Sequence, residues 1–135
     1  MKILGIEHIG IAVKNLKTDA PFWKHILNIK NTSTEVVDEQ DVITDIYDTS
    51  RGKVELLEAT NKNSVISKFI DKYGPGIHHI CFEVDNILEA IKELSLNNIE
   101  IIGEKPTVGA EGYKVIFIHP KSTGGVLVEL AQRLK

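Results

Sequence analysis

Cysteine is almost absent from this sequence, since Cys81 is the only one among 135 residues. A single thiol cannot form an intramolecular disulfide, and it excludes a metal site built from several cysteines. Histidine and the acidic side chains therefore remain as the strong metal ligands that the chain can offer. The lack of a disulfide framework also favours a cytoplasmic protein.

The sequence also lacks an excess of positive charge and a long apolar segment. Its 16 Lys and Arg residues are outnumbered by 19 Asp and Glu residues, so the net charge is −3 at pH 7. No overall positive field attracts a phosphate backbone, and we expect no nucleic-acid partner. No apolar run approaches the about 20 residues that span a bilayer, and the first residues lack a signal-peptide pattern. We therefore expect no membrane partner and a cytoplasmic location.

What the sequence does contain is an internal repeat. The segment 6–13 (IEHIGIAV) resembles the segment 77–84 (IHHICFEV), which aligns His8 with His79. Later in each half, VELL at 54–57 resembles VELA at 128–131, which aligns Glu55 with Glu129. A repeat of this kind determines the architecture of the fold.

Each half carries the pattern of one helix and four strands, so the sequence predicts two βαβββ modules. We expect a single domain over residues 1–135, with one module at about 3–60, a linking helix at about 61–75 and a second module at about 76–132. The predicted helices lie at 15–28, at 64–73 and after Asn86. The predicted strands are 3–13, 32–37, 42–47, 53–58, 77–84, 99–102, 114–119 and 126–130.

Alternation along the strands places the two aligned histidines on equivalent faces. His8 shares its face with small residues, whereas its larger neighbours point to the core. The same parity makes His79, and not His78, the equivalent of His8. A lone strand histidine is more often a hydrogen-bonded or surface group than a ligand, and a lone glutamate such as Glu129 usually faces solvent.

Repetition of both residue types favours a metal site instead. If the halves pair about a pseudo-twofold axis, His8, Glu55, His79 and Glu129 converge. Two imidazoles and two carboxylates suit a divalent ion of the Mn, Fe, Co, Ni or Zn type, with water completing the shell. A bound ion would also offset the cost of burying two carboxylates among apolar strands.

These features resemble the vicinal oxygen chelate superfamily, which includes glyoxalase I, extradiol dioxygenases and fosfomycin-resistance proteins. Within it, the chain is similar to the methylmalonyl-CoA epimerase family in the segments 8–13 (HIGIAV), 54–58 (VELLE), 76–80 (GIHHI) and above all 119–130 (HPKSTGGVLVEL). The resemblance extends from Ile6 to Leu130. It implies an α+β fold in which two βαβββ modules pair into a curved, cleft-forming mixed β-sheet.

The resemblance implies that His8, His79 and Glu129 bind one divalent metal ion, with Glu55 as the fourth ligand. Some relatives carry Gln at that fourth position, so a Glu makes the site more negative and favours retention of the ion over electrophilicity. Co²⁺ is the expected ion, with Mn²⁺, Ni²⁺ and Zn²⁺ as alternatives. The resemblance also implies an acyl-CoA substrate and a homodimer.

The activity implied by the resemblance is interconversion of the (R) and (S) epimers of methylmalonyl-CoA. The carbon between the thioester and the carboxylate loses its acidic proton and regains one on the opposite face, through an enolate that a chelated metal stabilises. Glu129 resembles one of the two acid/base groups required. The family position that often holds the other falls on Thr44, which cannot act as a base near neutral pH.

The second acid/base group therefore remains open at the level of sequence. Asp45 adjoins Thr44 but points to the other face unless a bulge intervenes. Glu35, Glu39 and a metal-bound water are the further candidates.

Three residues are candidate substrate contacts. Lys121 and Ser122 lie in the segment 120–125, where they could meet a phosphate of coenzyme A or the substrate carboxylate. The alternative is a hairpin turn that needs Gly124 and Gly125 for positive φ. Gln40 is the third, with a solvated hairpin residue as its alternative.

Two other functions use the same elements. A glyoxalase-I-like lyase applies the same metal chemistry to a glutathione hemithioacetal. A metal-free small-molecule-binding protein of the bleomycin-resistance type uses the same fold as a sequestering cleft. The four repeated polar positions argue against the second, because a hydrophobic cleft gains nothing from buried carboxylates.

The face assignment generates a first prediction. His8→Ala or His79→Ala should abolish stoichiometric divalent metal binding, whereas His78→Ala should leave it intact, because only the first two share the small-residue face. Metal content of the purified variants, measured after loading with Co²⁺, is the test. Equal metal loss in the His78→Ala variant would show that the parity assignment is wrong.

Overall fold

The computed structural model describes residues 1–134. The chain divides into two compact units, one formed by Met1–Glu7 together with the chain from His79 onward, the other by His8–His78. The elements in chain order are β1 (Ile3–Ala12), α1 (Leu16–Pro21), a π-helical turn (Phe22–Ile26), β2 (Lys30–Val37), β3 (Val42–Asp48), β4 (Lys53–Ala59), α2 (Val65–Tyr73), β5 (Gly76–Val84), α3 (Ile87–Leu96), β6 (Ile101–Val108), β7 (Lys114–Ile118) and β8 (Val128–Gln132). Short 3₁₀ turns occupy Asp38–Gln40, Ala110–Gly112 and Pro120–Ser122.

The unit of residues 8–78 contains four strands in the order β2-β3-β4-β1. β1 and β4 are parallel, whereas the other two pairings are antiparallel. One face of this sheet is covered by α1 and the segment that follows it, where Leu16 and Trp23 pack on a cluster of buried Val13, Tyr47 and Leu56. This arrangement is the predicted βαβββ module.

The other unit repeats the same plan. Its strands follow the order β5-β8-β7-β6, with β5 and β8 parallel and the other pairings antiparallel. One stripe of α3 supplies Ile87, Ala90 and Leu94 to a core that includes Ile116 and Leu130. Apolar residues at helical spacing meet one face of the sheet, as the sequence predicts.

Helix ends are set by local hydrogen bonds. Asn86, after which the third helix is predicted, is the N-cap of α3, and its side-chain oxygen accepts from the backbone N–H of Glu89 at 3.1 Å. Ser64 caps α2 in the same way by accepting from Ile66 at 3.2 Å. α2 ends at Gly74, whose φ of 80° suits glycine. None of the helices within residues 1–134 has the length and apolar character required to cross a membrane.

Two predicted elements differ in the structure. The predicted helix at 15–28 is present over residues 16–26, but its second half after Pro21 is π-helical, with the Leu27 N–H bonded to the Phe22 carbonyl at 2.9 Å. β6 extends to Val108, beyond the predicted end at 102, although it contains Pro106. Its pairing with β7 is irregular between Ile102 and Thr107, which is where an edge strand tolerates a proline.

A polar cluster lies on the α1-covered side of β3. Asp45 accepts hydrogen bonds from the Thr34 hydroxyl at 2.5 Å and from the Tyr47 hydroxyl at 3.1 Å. Burial, reinforced by the neighbouring Asp45 carboxylate, raises the pKa of Tyr47 from 10.0 to about 12. Tyr47 therefore stays neutral and bonded to Asp45 over the physiological pH range.

Alkaline pH should destabilise the protein through Tyr47. Because its folded-state pKa of about 12 exceeds the ordinary value of 10.0, the stabilisation by the neutral phenol is complete below pH 10 and is lost as the pH rises through 12. The free energy of unfolding, measured with urea at a series of pH values across this window, should fall less steeply with pH in Tyr47→Phe than in the parent. Tyr73→Phe removes an exposed phenol and serves as the control. Parallel curves for the parent and Tyr47→Phe would contradict the assignment.

Candidate functional site

His8 and Glu55 form a buried polar pair in the unit of residues 8–78. In the parallel pairing of β1 with β4, Gly10 lies opposite Glu55, so His8 has its side chain on the same face two residues earlier. Nδ1 of His8 lies 3.1 Å from Oε2 of Glu55, and each side chain is only 6% exposed. Gly10 leaves space beside the two groups because it has no side chain.

His79 and Glu129 form a corresponding pair in the other unit. β5 and β8 are parallel, with Cys81 opposite Glu129. Nε2 of His79 lies 3.0 Å from Oε1 of Glu129, and both side chains are 5% exposed. In each unit the glutamate therefore lies opposite the residue two positions after the histidine.

The remaining strand histidine confirms the predicted parity. His78 lies one residue from His79 and therefore points to the other side of β5. Its ring contacts Phe69 of α2 in an edge-to-face arrangement with 4.9 Å between the centroids. His78 therefore packs on a helix, on the face opposite to that of His79.

Two groups beside Glu129 were not identified from the sequence. Phe117 lies opposite Glu129 in the antiparallel pairing of β7 with β8, and its ring is edge-on to His79 at 5.7 Å. Gly109 approaches from the loop, where an added Cβ would lie 3.1 Å from Cγ1 of Val115 and 3.9 Å from Oε2 of Glu129. Strand register could have indicated Phe117, whereas the approach of Gly109 depends on loop conformation.

The donor atoms fit a divalent ion in chemical type and in spacing. Each unit offers one imidazole nitrogen and one carboxylate oxygen, the set that first-row divalent ions accept. Two ligands at right angles on an ion with bonds of about 2.1 Å lie about 3.0 Å apart. The His8–Glu55 and His79–Glu129 separations are 3.1 and 3.0 Å. The residues present are thus compatible with the ion that the resemblance implies.

The candidates for a second acid/base group lie on different faces of the sheet. Thr44 pairs with Leu57 and so shares the face of Glu55, where it is 1% exposed. Asp45 points to the opposite face and receives hydrogen bonds on both carboxylate oxygens. The bulge that could have turned Asp45 is absent from β3, since the irregularity lies in β2 between Asn31 and Ser33.

The two glutamates near β3 differ in position. Glu35 lies directly opposite Thr44 in the antiparallel pairing of β2 with β3, and it is half-buried. The hydroxyl of Ser33 donates to its Oε2 at 3.3 Å. Glu39 is exposed in the 3₁₀ turn Asp38–Gln40, which follows β2.

The candidate substrate contacts all have local partners. Lys121 forms an exposed ion pair with Glu100, with 3.0 Å between Nζ and Oε2. The Ser122 hydroxyl accepts from the backbone N–H of Glu100 at 3.2 Å. Gln40 is half-buried, and its backbone carbonyl accepts a hydrogen bond from the Ser64 hydroxyl at 3.4 Å.

The turn chemistry predicted for the segment 120–125 is present. Gly124 and Gly125 have φ values of 79° and 107°. Both values lie in the region that favours glycine.

Residues 7–117 match the family described as the Glyoxalase/Bleomycin resistance protein/Dioxygenase superfamily. The chain is also 40% identical, over 128 residues, to the mitochondrial methylmalonyl-CoA epimerase of Homo sapiens, an alignment that covers 94% of this chain and 73% of the relative. The chain belongs to the methylmalonyl-CoA epimerase family. The resemblance on which the sequence analysis relied is thereby confirmed.

Solved structures of methylmalonyl-CoA epimerases confirm the fold class. The enzyme from Mycobacterium tuberculosis is 31% identical and aligns over 98% of this chain and 90% of its own, with a TM-score of 0.93. A methylmalonyl-CoA epimerase solved with methylmalonyl-CoA and NH4⁺ is also 31% identical and aligns over 97% of this chain and 95% of its own, with a TM-score of 0.92. The predicted α+β fold with two βαβββ modules is therefore that of the methylmalonyl-CoA epimerase family.

Proposed function

We propose that this protein is a methylmalonyl-CoA epimerase that interconverts the (R) and (S) epimers of its substrate. The observation that carries the proposal is the pair of buried His–Glu contacts at matching register positions, in a chain 40% identical to the human epimerase over 94% of its length. A structure of a relative with methylmalonyl-CoA supports the same substrate class.

The proposal includes one divalent metal ion. His8, Glu55, His79 and Glu129 would hold it, with the two modules acting as one domain. Co²⁺ is the proposed ion, and Mn²⁺, Ni²⁺ and Zn²⁺ are alternatives that accept the same nitrogen and oxygen donors. Such an ion supplies Lewis-acid stabilisation of the negative charge that develops on the thioester oxygen. With Glu55 in place of an amide, the ligand set carries two carboxylates, which favours retention of the ion.

Glu129 has a second role in this proposal, as one of the two proton-transfer groups. Its Oε1 contacts His79, and the backbone around Gly109 lies on the Oε2 side of the carboxylate. The edge of the Phe117 ring restricts the orientation of His79. These contacts hold the carboxylate in one orientation, which a group that exchanges a proton with a bound carbon acid requires.

Substrate contacts are proposed for Gln40, Lys121 and Ser122. Lys121 could exchange its exposed ion pair with Glu100 for a phosphate of coenzyme A or the substrate carboxylate, because an exposed pair of this kind stabilises the fold by at most about 1 kcal/mol. Ser122 and Gln40 would contribute hydrogen bonds. Ser122 also fixes the turn through Glu100.

A homodimer is part of the proposal, as is a cytoplasmic location. Exposed apolar side chains in β1, where Ile3, Leu4 and Ile6 are 47%, 51% and 52% exposed, support an interface between two copies. The single thiol, Cys81, is buried and has no second cysteine with which to form a disulfide, which fits a reducing compartment. Sedimentation equilibrium measures the assembly directly.

Exchange of the α-proton tests the function. The metal-loaded protein, incubated with (R)- or (S)-methylmalonyl-CoA in deuterated water, should incorporate deuterium at the α-carbon and produce the other epimer, and removal of the metal should abolish both. The same preparation should show no turnover of the hemithioacetal of methylglyoxal and glutathione. Turnover of that compound without epimerisation would instead identify a glyoxalase-I-like lyase. Purification with no metal and no epimerisation would favour the small-molecule-binding alternative.

The Glu129→Gln variant should separate the two roles of Glu129. The amide keeps a carbonyl oxygen for the metal but loses the base, so the ion should remain bound with weaker affinity. Epimerisation should fall by at least about 10², the contribution typical of general-base catalysis. One epimer should still exchange its α-proton without inversion, through the remaining base. Near-parent epimerisation of both epimers with metal bound would restrict Glu129 to ligation.

A further inference from the structure

Epimerisation requires two proton-transfer groups, because the proton leaves one face of the α-carbon and a proton returns to the other. Under the proposed function Glu129 is one of them. The second position suggested by the family resemblance is Thr44, whose hydroxyl is not a base near neutral pH. Another group must therefore act with Glu129.

We propose that Glu35 supplies the second acid/base carboxylate, an inference that rests on the proposed function. Glu35 and Thr44 are directly opposed in the antiparallel pairing of β2 with β3. Side chains at such positions share one face and have Cβ atoms about 4.5–5.5 Å apart. A carboxylate missing from β3 is thus replaced by one from the neighbouring strand.

The face that carries Glu35 is the face of the His8–Glu55 pair. Successive pairings connect Glu35 to Thr44 and Thr44 to Leu57, while Glu55 lies two residues before Leu57 on β4. Adjacent strands are about 4.8 Å apart, so β2 and β4 are separated by about 10 Å. An acyl group that extends from Glu55 across β3 would lie between Glu55 and Glu35.

The other two carboxylates that the sequence offered as candidates, Asp45 and Glu39, are excluded by position. Asp45 lies on the α1-covered face, with hydrogen bonds from Thr34 and Tyr47. Glu39 is exposed in the turn after β2 and belongs to neither face of the sheet.

The second module offers an internal comparison. Thr44 is paired with the residue two positions after Glu55, and Val115 is paired with the residue two positions after Glu129. The residue opposite Val115 on β6 is Thr107. The position equivalent to Glu35 therefore holds no carboxylate. Glu35 is not required by the repeated architecture, which supports a chemical role in one half alone.

The proton transfer balances without any further reactant. The Glu35 carboxylate accepts the α-proton as the C–H bond breaks, and the electron pair of that bond is delocalised onto the thioester oxygen as an enolate. Glu129, in its protonated form, then donates a proton to the opposite face, where a new C–H bond forms and the Glu129 carboxylate is restored. The reverse reaction exchanges the two roles, and water re-equilibrates the protons between turnovers.

The test uses Glu35→Gln in the Co²⁺-loaded protein, with each epimer incubated separately in deuterated water. Epimerisation should fall by at least about 10², with parent-like Co²⁺ content. One epimer should still exchange its α-proton without inversion, and it should be the epimer that Glu129→Gln does not exchange. Glu39→Gln removes a nearby exposed carboxylate and should epimerise at the parent rate.

A second variant tests position as well as charge. Adding Thr44→Glu to Glu35→Gln returns a carboxylate to the same face, one strand away. The double variant should epimerise at least tenfold faster than Glu35→Gln alone. If Glu35→Gln does not fold, Glu35→Asp replaces it, and the retracted carboxylate should lower epimerisation at least tenfold with metal bound.

Three results would overturn the assignment. Near-parent epimerisation of both epimers by the folded Glu35 variant would exclude Glu35 as a base while leaving the proposed function intact. Loss of α-proton exchange for both epimers would indicate that Glu35 acts only on substrate binding. An inactive parent protein would reject the proposed function, and the assignment with it.

Discussion

Burial of two carboxylates is the constraint on which the rest of this structure depends. Glu55 and Glu129 are 5% and 4% exposed within apolar β-strands, and an ionised carboxylate is costly there unless it is paired or bound to a cation. Each lies within about 3 Å of a histidine on a parallel neighbouring strand. The residues opposite them in the strand pairing are the small Gly10 and Cys81. Local strand register therefore creates the polar pairs, and a divalent ion would stabilise the same groups further.

Strand alternation separates the stabilising face of each sheet from the chemical face. α1 and α3 pack on one side, where the buried clusters around Leu56 and Leu130 lie. The histidine–glutamate pairs occupy the other side, so their side chains need not contribute to helix packing. This separation explains why Asp45 cannot replace a base at position 44. A shift of one residue moves a side chain to the other face, where Asp45 instead binds Thr34 and Tyr47.

The sequence was sufficient for features that depend on repetition and parity. Both βαβββ modules and the faces of His8 and His79 were predicted from them. The full length of β6 and the change from α- to π-helix after Pro21 were not predicted, because they depend on strand pairing around Pro106 and on local hydrogen bonding that only the folded chain reveals. The relation of Glu35 to Thr44 was equally inaccessible. It depends on the pairing of two strands that includes a bulge near Asn31, and parity within one strand carries no information about its neighbour.

The two halves keep the same inner pair but differ in the residues around it. In the first half, the row beside Glu55 contains Glu35 and Thr44, whereas the corresponding row beside Glu129 contains Thr107 and Val115. An enzyme that acts on both faces of one carbon needs two acid/base groups, but it does not need them at equivalent positions. Under the proposed assignment, a repeated module would keep the histidine–glutamate pair in both halves, while one half would use its glutamate for proton transfer and the other would place a separate carboxylate two strands away from its pair. Divergence outside the pairs would then give a repeated framework two distinct acid/base groups.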